Sequence, residues 1–375
     1  MSKRVKRVGF IINSRFPEWK AVMRGMKPHH LLTGWPDRHS PMNFMRFGWI
    51  AEAVNSDPSS GIHYELFKPW RRYDAVIFLK SMEAGCAIHA ERLKEKGTKV
   101  IFEANVDYYT EGGGGMLSGH LRPTSAQREK AIRMTSLADG VIASSSHLTS
   151  ICAAWNPNVF WVPDQIPARM IPTPQATVPR DNSALHVWWS GMADKTPDLL
   201  AAGDALRSTG KKIRLHLVTG DMREAMKQMD PAIASRLEAM LSDVPHTTHR
   251  FRSIEDLLSL YAETPGVIIS PRFLENPYNQ SHTEWKIALG MACGLPAIAS
   301  PQPSYLDVRD RSTGGEAVTI CESGEEWKTA FETARRDGWR AEASEAARRV
   351  FLEHYATEVV APRHVDAVKA VLSPK

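Results

Sequence analysis

Short, continuous apolar runs alternate with helical stretches along this chain, and that rhythm limits its fold more than any other feature. Residues 8–12 (VGFII), 73–79 (YDAVIFL), 99–102 (KVIF) and 139–144 (DGVIAS) are such runs. A strand that is apolar at nearly every position is covered on both faces, as in a parallel sheet. Residues 90–97 (AERLKEKG) form a helical stretch that stops at a glycine. Repeated strand–helix–strand units imply a parallel sheet with right-handed crossovers.

The rhythm breaks after Asp164. Between Pro163 and Pro179 there are five prolines and little periodicity, which reads as an interdomain linker. It restarts at residues 185–189 (LHVWW) and continues through 213–218 (IRLHLV), 266–270 (GVIIS) and 296–299 (PAIA). Two helix-rich segments, 325–336 and 341–354, follow. The expected division is a first domain over residues 1–165, a linker over 166–183 and a second domain over 184–350. Residues 351–375 are expected to form a helical segment that returns to the first domain. A chain of 375 residues is long enough to bury two such cores.

A hydrophobic fraction of 43% with 24% charged residues belongs to a globular chain, not a disordered one. No apolar run approaches the roughly 20 residues a spanning helix needs. The first residues carry charges followed by only a short apolar stretch, which reads as a buried strand and not a signal peptide. The expected location is the cytoplasm. Cys86, Cys152, Cys293 and Cys321 are far apart with no CxxC pair, so neither a metal site nor a disulfide framework is expected. The formal charge of +5 suits anionic small molecules, anionic lipid surfaces or nucleic acid, and does not choose among them.

The strongest local motif is the run from Lys286 to Ser300 (KIALGMACGLPAIAS), where a helix should end at Gly294 and Pro296 should open a buried strand. It resembles the K-x-x-E-x-M-A-x-G-x-P-V-I-A-S segment of family-4-like glycosyltransferases of the GT-B type. Other segments agree in order and spacing: residues 137–146 (LADGVIASSS), Val162-Pro163, Ser190-Gly191 followed by Lys195, and residues 217–220 (LVTG). The resemblance covers roughly residues 70 to 355. It implies two Rossmann-like domains facing a cleft, a nucleotide-sugar donor held by the second, and sugar transfer to a hydroxyl with retention. It also implies no cofactor and no metal, with positive side chains and a helix dipole in place of a cation.

Candidate residues follow from both sources. A diphosphate needs close backbone approach and N–H groups, which the Ser190-Gly191 turn, between a strand end and a helix expected to begin around Pro197, would supply. Lys195 and Lys286 are candidates for neutralising the phosphates and the leaving group. Arg272 directly follows a buried strand and points to the same edge. The family's two glutamates before the M-A-x-G-x-P run are Ser281 and Leu289 here. Leucine cannot accept the ribose hydroxyl bonds that the second glutamate accepts. Glu275 is the substitute with the freest reach, because Glu284 is displaced by about 140° from Leu289 on a common helix. A subset of relatives resembles residues 278–286 (YNQSHTEWK), which adds Asn279 and Ser281 to the donor side, with helix capping an equal reading for Ser281.

On the acceptor side, Asp107 is the first candidate beside the acceptor hydroxyl and Glu103 the second. Gly113, in the run of four glycines from 112 to 115, would belong to a mobile loop over the site. His120 lies just beyond it. Residues 15–17 and 42–48 would line the acceptor side, although a packed amphipathic helix over 43–54 explains most of the latter. The acceptor is open: a glycan, a lipid-linked glycan, a small molecule or a modified DNA base, with peripheral membrane contact compatible with the charge. Three other readings stay open: a DNA-base glycosyltransferase, a nucleotide-sugar 2-epimerase, and a non-catalytic sugar-nucleotide binder.

Overall fold

The computed structural model describes residues 4–12, 44–111, 124–172, 184–313 and 316–373. They form two compact units. The first comprises the described residues up to Glu111, those from 124 to Pro167, and those from Ala356 onward; the second runs from Ala168 to Tyr355.

The first unit is built on a six-stranded, all-parallel sheet. Its strands are β1 (Lys6–Ile12), β2 (Ile62–Leu66), β3 (Ala75–Leu79), β4 (Lys99–Ala104), β5 (Gly140–Ala143) and β6 (Val159–Trp161), in spatial order β2-β1-β3-β4-β5-β6. Side chains alternate between its faces with period two. Phe10 and Ile12 of β1, Ile77 and Leu79 of β3, and Ile101 of β4 face one core. The helices Trp49–Ser56 and Thr357–Leu372 close that side, the second contributing Val360, Val365, Val368 and Val371. Val76, Phe78, Val100 and Phe102 face the opposite core, under the helices Ala84–Glu95, Ser125–Leu137 and Ser146–Cys152. A Cβ at Gly140 would come within 2.4 Å of Val371 Cγ2. Glycine at the start of β5 therefore lets the last helix lie against the sheet.

Before the Trp49 helix the chain makes a π-helical turn, Phe44–Gly48. It carries Arg46, which is fully buried. Arg46 Nε donates to Glu103 Oε1 at 2.5 Å, and Nη1 donates to the carbonyls of Val162 and Pro163 and to Asp164 Oδ1 at 3.3 Å. His364 from the last helix lies 3.9 Å from Glu103 and shares a 2.8 Å hydrogen bond with the Tyr64 hydroxyl. One enclosed network thus ties together β2, β4, the segment after β6 and both helices of that face.

The second unit has its own parallel sheet of β7 (Leu185–Ser190), β8 (Ile213–Thr219), β9 (His246–Arg250), β10 (Val267–Ser270), β11 (Ala297–Ala299) and β12 (Val318–Ile320). The spatial order is β12-β11-β10-β7-β8-β9. The chain builds outward from β7 through β8 and β9, returns to the other side of β7 at β10, and continues outward. This is the doubly wound order, with its switch point between β7 and β10. Leu185, Val187 and Trp189 of β7 pack into one core with Leu215, Leu217 and Ile269. On the other face a chain of three imidazoles crosses β7, β8 and β9. His186 Nδ1 lies 2.8 Å from His216 Nε2, and His216 Nδ1 lies 3.0 Å from His249 Nε2. Trp188 stacks on His216 with ring centroids 4.2 Å apart. Burial first, then His186, His249 and Arg214, push the His216 pKa down to about 3. No group of three His, Cys, Asp or Glu among the described residues is arranged to hold a metal ion.

Two details differ from the sequence expectation. After β7 the chain forms a ten-residue 3₁₀ helix, Ala193–Ala202, with Pro197 inside it, and not an α-helix opening near Pro197. The outermost strands β2 (IHYEL) and β9 (HTTHR) had no clear apolar run. Part of the expected linker, residues 173–183, lies outside the described residues, as do residues 15–17, Gly113 and His120.

Candidate functional site

In an open parallel sheet, ligands collect beyond the C-terminal strand ends at the switch point. In the second unit those ends are Ser190 on β7 and Ser270 on β10, and three cations gather there. Lys195, on the 3₁₀ helix, is 8% exposed; its Nζ lies 2.8 Å from His282 Nε2 and 5.1 Å from the Tyr278 ring centroid. Arg272 follows β10 and is 5% exposed. Its Nη1 donates to Asp198 Oδ2 at 2.8 Å, and its backbone N–H donates to Ser300 Oγ at 2.8 Å. Lys286 comes from the first turn of the helix Trp285–Ala292. Its Nζ lies over the Trp189 ring, 4.7 Å from the centroid.

Several polar atoms in this cluster are buried with no hydrogen-bond partner among the described residues: Lys286 Nζ, Arg272 Nε and Asn279 Oδ1. Burial, then the charges of Arg272 and Lys195, hold Lys286 well below the ordinary lysine range; Asp198 and Asp194 pull the other way. Burial works against the charge on Arg272, but Tyr305 and Asp198 more than offset it. The cluster therefore holds one cation paired with carboxylate and another whose charge the surroundings oppose. A bound anion would relieve both.

The local sequence explains how these groups are positioned. A Cβ at Gly191 would lie 2.8 Å from Lys286 Nζ and 2.9 Å from the Trp189 ring, so the bare backbone there leaves room for the ammonium. The Lys286 helix ends at Gly294, with φ +82°. The N–H groups of Gly294 and Leu295 close the helix on the carbonyls of Met291 and Gly290, a Schellman-type cap that glycine permits. Gly290 packs against Ile268 of β10 so closely that a Cβ would sit 2.9 Å from its side chain.

Ser190, Gly191, Lys195, Arg272, Asn279 and Lys286 thus come from five separate segments to one strand edge. Asn279 is buried and donates to the Phe273 carbonyl at 2.9 Å and towards Asp198 at 3.4 Å. Ser281 Oγ donates to the Tyr278 carbonyl at 3.3 Å, a local turn bond. Glu275 is exposed and makes no hydrogen bond or ion pair to a described residue. Leu289 is 2% exposed, within the buried part of its helix. Glu284 precedes that helix, fully buried, and after burial it adds to the raised pKa of the Tyr355 phenol. Asp198, Trp189 and the pairing of His282 with Lys195 escaped sequence reading. Asp198 is three residues after Lys195, the one signal that could have pointed to it.

In the first unit, Glu103 is turned into the core as the partner of Arg46 and is fully buried. Burial opposes its charge, but Arg46 and His364 hold its carboxyl below the usual range. Asp107 is 1% exposed, and its Oδ1 accepts the N–H groups of Tyr109 and Thr110 at 2.7 and 2.9 Å. Both carboxylates therefore shape the protein around them.

No protein-family model matches the chain, and no curated protein does. Solved structures match over nearly its whole length. Sucrose-phosphate synthase from Thermosynechococcus elongatus superposes with a TM-score of 0.64 at 12% identity, covering 98% of this chain and 99% of that one. HepE from Anabaena, solved in complex with UDP-glucose, gives 0.63 at 12% identity over 97% and 100%. A glycosyltransferase from Rickettsia africae gives 0.60 at 12% identity over 90% and 83%. Together with the two six-stranded parallel sheets, these matches show the GT-B fold. Identities this low speak to fold alone.

Proposed function

We propose that this chain is a glycosyltransferase that moves a sugar from a nucleotide-diphosphate donor to a hydroxyl acceptor. The observation that carries this reading is the set of three cations, Lys195, Arg272 and Lys286, at the switch point of the second sheet, with N–H groups of Arg272 and Lys286 unpartnered among the described residues. A diphosphate there would accept those donors. As the bond from the sugar's anomeric carbon to the phosphate oxygen breaks, negative charge grows on the leaving group, and preorganised cations stabilise it. The acceptor oxygen takes the sugar and gives up its proton. HepE, of the same fold, binds UDP and UDP-glucose, so uridine nucleotides are the first to try.

With Leu289 buried and Glu275 exposed, neither is the ribose ligand in this reading. The ribose hydroxyls are met by other groups at the same edge, and retention, implied by the sequence resemblance, remains part of the proposal. A thermal-shift screen with UDP, GDP, ADP and CDP, then with the matching nucleotide sugars, followed by titration of any hit, tests the reading, since specific binding stabilises the folded state. Saturable binding of one nucleotide diphosphate, weakened by Lys286→Ala, is expected. Absence of binding across the panel would refute the proposal.

A further inference from the structure

The three cations at the edge of the second sheet are held in three different ways. Arg272 meets a carboxylate, with Nη1 2.8 Å from Asp198 Oδ2. Lys286 lies over the face of the Trp189 ring. Lys195 meets an imidazole, its Nζ 2.8 Å from His282 Nε2. An ammonium has three N–H donors and no acceptor, so at that contact the imidazole offers a lone pair. Two N–H donors do not face each other at hydrogen-bond distance. One proton therefore lies between the two nitrogens, and the pair carries a single charge. Lysine is the stronger base of the two side-chain types, which leaves the charge on Lys195 and the imidazole neutral, with its proton on Nδ1.

A carboxylate fixes a cation and cancels its charge, whereas a neutral imidazole fixes it and leaves the charge intact. His282 is itself firmly placed for this. It lies between the short helix Pro277–Gln280 and the helix Trp285–Ala292 that carries Lys286. Its ring meets Tyr278 edge-on, with centroids 4.6 Å apart and planes at 88°. The same Tyr278 ring lies 5.1 Å from Lys195 Nζ. The His282 carbonyl accepts from Gln302 Nε2 at 2.7 Å, and Gln302, which follows β11, is fully buried. The imidazole is thus held from its own segment and from the segment after β11, and it meets a lysine 87 residues earlier in the chain.

We propose that His282, as a neutral imidazole, is a positioning residue that holds Lys195 for the donor diphosphate without cancelling its charge. The ligand in this statement rests on the glycosyltransferase reading. A lysine side chain loses much rotamer freedom when it is ordered. With Lys195 already ordered by His282, that cost falls on the fold and not on binding, and the arriving anion meets an undiminished charge.

Calorimetry with UDP, GDP, ADP and CDP tests it on the wild type, His282→Leu, His282→Gln and His282→Glu, with Lys195→Met and the double variant Lys195→Met/His282→Leu closing a cycle. Leucine accepts no hydrogen bond and should weaken the diphosphate that the wild type binds by about tenfold, as for a lost charge-assisted hydrogen bond. Glutamine offers a neutral acceptor and should largely restore binding. Glutamate also holds Lys195 but cancels its charge, and should bind no better than leucine. With Lys195→Met in place, His282→Leu should cost nothing further, whereas a histidine that only shaped the loop would cost the same in both backgrounds. The proposal is overturned if His282→Leu binds as the wild type does, if glutamine fails to restore binding, if glutamate restores it, or if the two substitutions are additive. Each of those results, with nucleotide still bound by the wild type, leaves the glycosyltransferase reading standing. A wild type that binds none of the four diphosphates overturns both. Should His282→Leu not fold, the contrast between glutamine and glutamate decides alone.

Discussion

Lys286 Nζ sits 4.7 Å above the Trp189 ring, while Gly191 offers it bare backbone from the side. The ring face attracts the cation, but no described hydrogen-bond acceptor meets it. A charge stored this way weakens the fold until an anion arrives.

Lys286→Met should therefore separate stability from function. The variant should be more stable than the wild type by about 1–2 kcal/mol, since replacing an uncompensated buried charge with an apolar chain is neutral to stabilising. Turnover with the nucleotide sugar should fall about tenfold or more. Urea unfolding and initial rates measure the two effects. A methionine variant that is less stable and fully active would contradict both.

Between the free-state and bound-state pKa of Lys286, binding of a nucleotide diphosphate should take up a proton. Free Lys286 has a depressed pKa, and a bound diphosphate raises it towards the ordinary value. Affinity is then fully present below the free-state pKa and declines as pH rises through the bound-state one. Calorimetry in buffers of different ionisation enthalpy reads the proton directly, and Lys286→Met should abolish the uptake.

Arg46→Ala should destabilise the protein by about 3–5 kcal/mol, because it strands Glu103 as an unpaired charge in the core. Adding Glu103→Gln should recover part of the loss. Denaturation of both single variants and the double variant gives the coupling, which should be well above zero for groups 2.5 Å apart.

The imidazole chain makes the protein sensitive to acid. With its folded pKa near 3, against about 6.5 when unfolded, His216 binds a proton more readily in the unfolded chain. Stability is thus unaffected by this group above about pH 6.5 and falls as pH drops towards 3. His186, His249, Arg214 and Trp188 surround it, with Tyr261 edge-on against Trp188. His216→Gln should flatten the pH dependence of unfolding free energy across that window, an outcome that urea titrations at stepped pH would show or refute.

The inner strands were legible in the sequence because a strand buried on both faces is apolar nearly throughout, as β3 is (AVIFL). The edges were not. In β9 (HTTHR) no residue is buried, and β2 (IHYEL) alternates only loosely. An edge strand covered on one side needs no continuous apolar run.

The second-unit cations could be anticipated because each follows a strand end or sits in a motif. Glu103 could not be placed, since its partner Arg46 is 57 residues away and sequence alone does not pair them.

The valines of helix Thr357–Leu372 finish a core that begins with β1. A ribosome delivers the first sheet early and its cover last. Roughly 200 residues separate Pro167 from the end of that helix, so at about 5–20 residues per second the half-covered face waits some 10–40 s. The described residues of the second unit lie between Ala168 and Tyr355 and are all made within that interval. The unit made earlier is therefore the later to mature, and a nascent chain halted before residue 356 would leave the part of this core that the last helix covers exposed for chaperones to find.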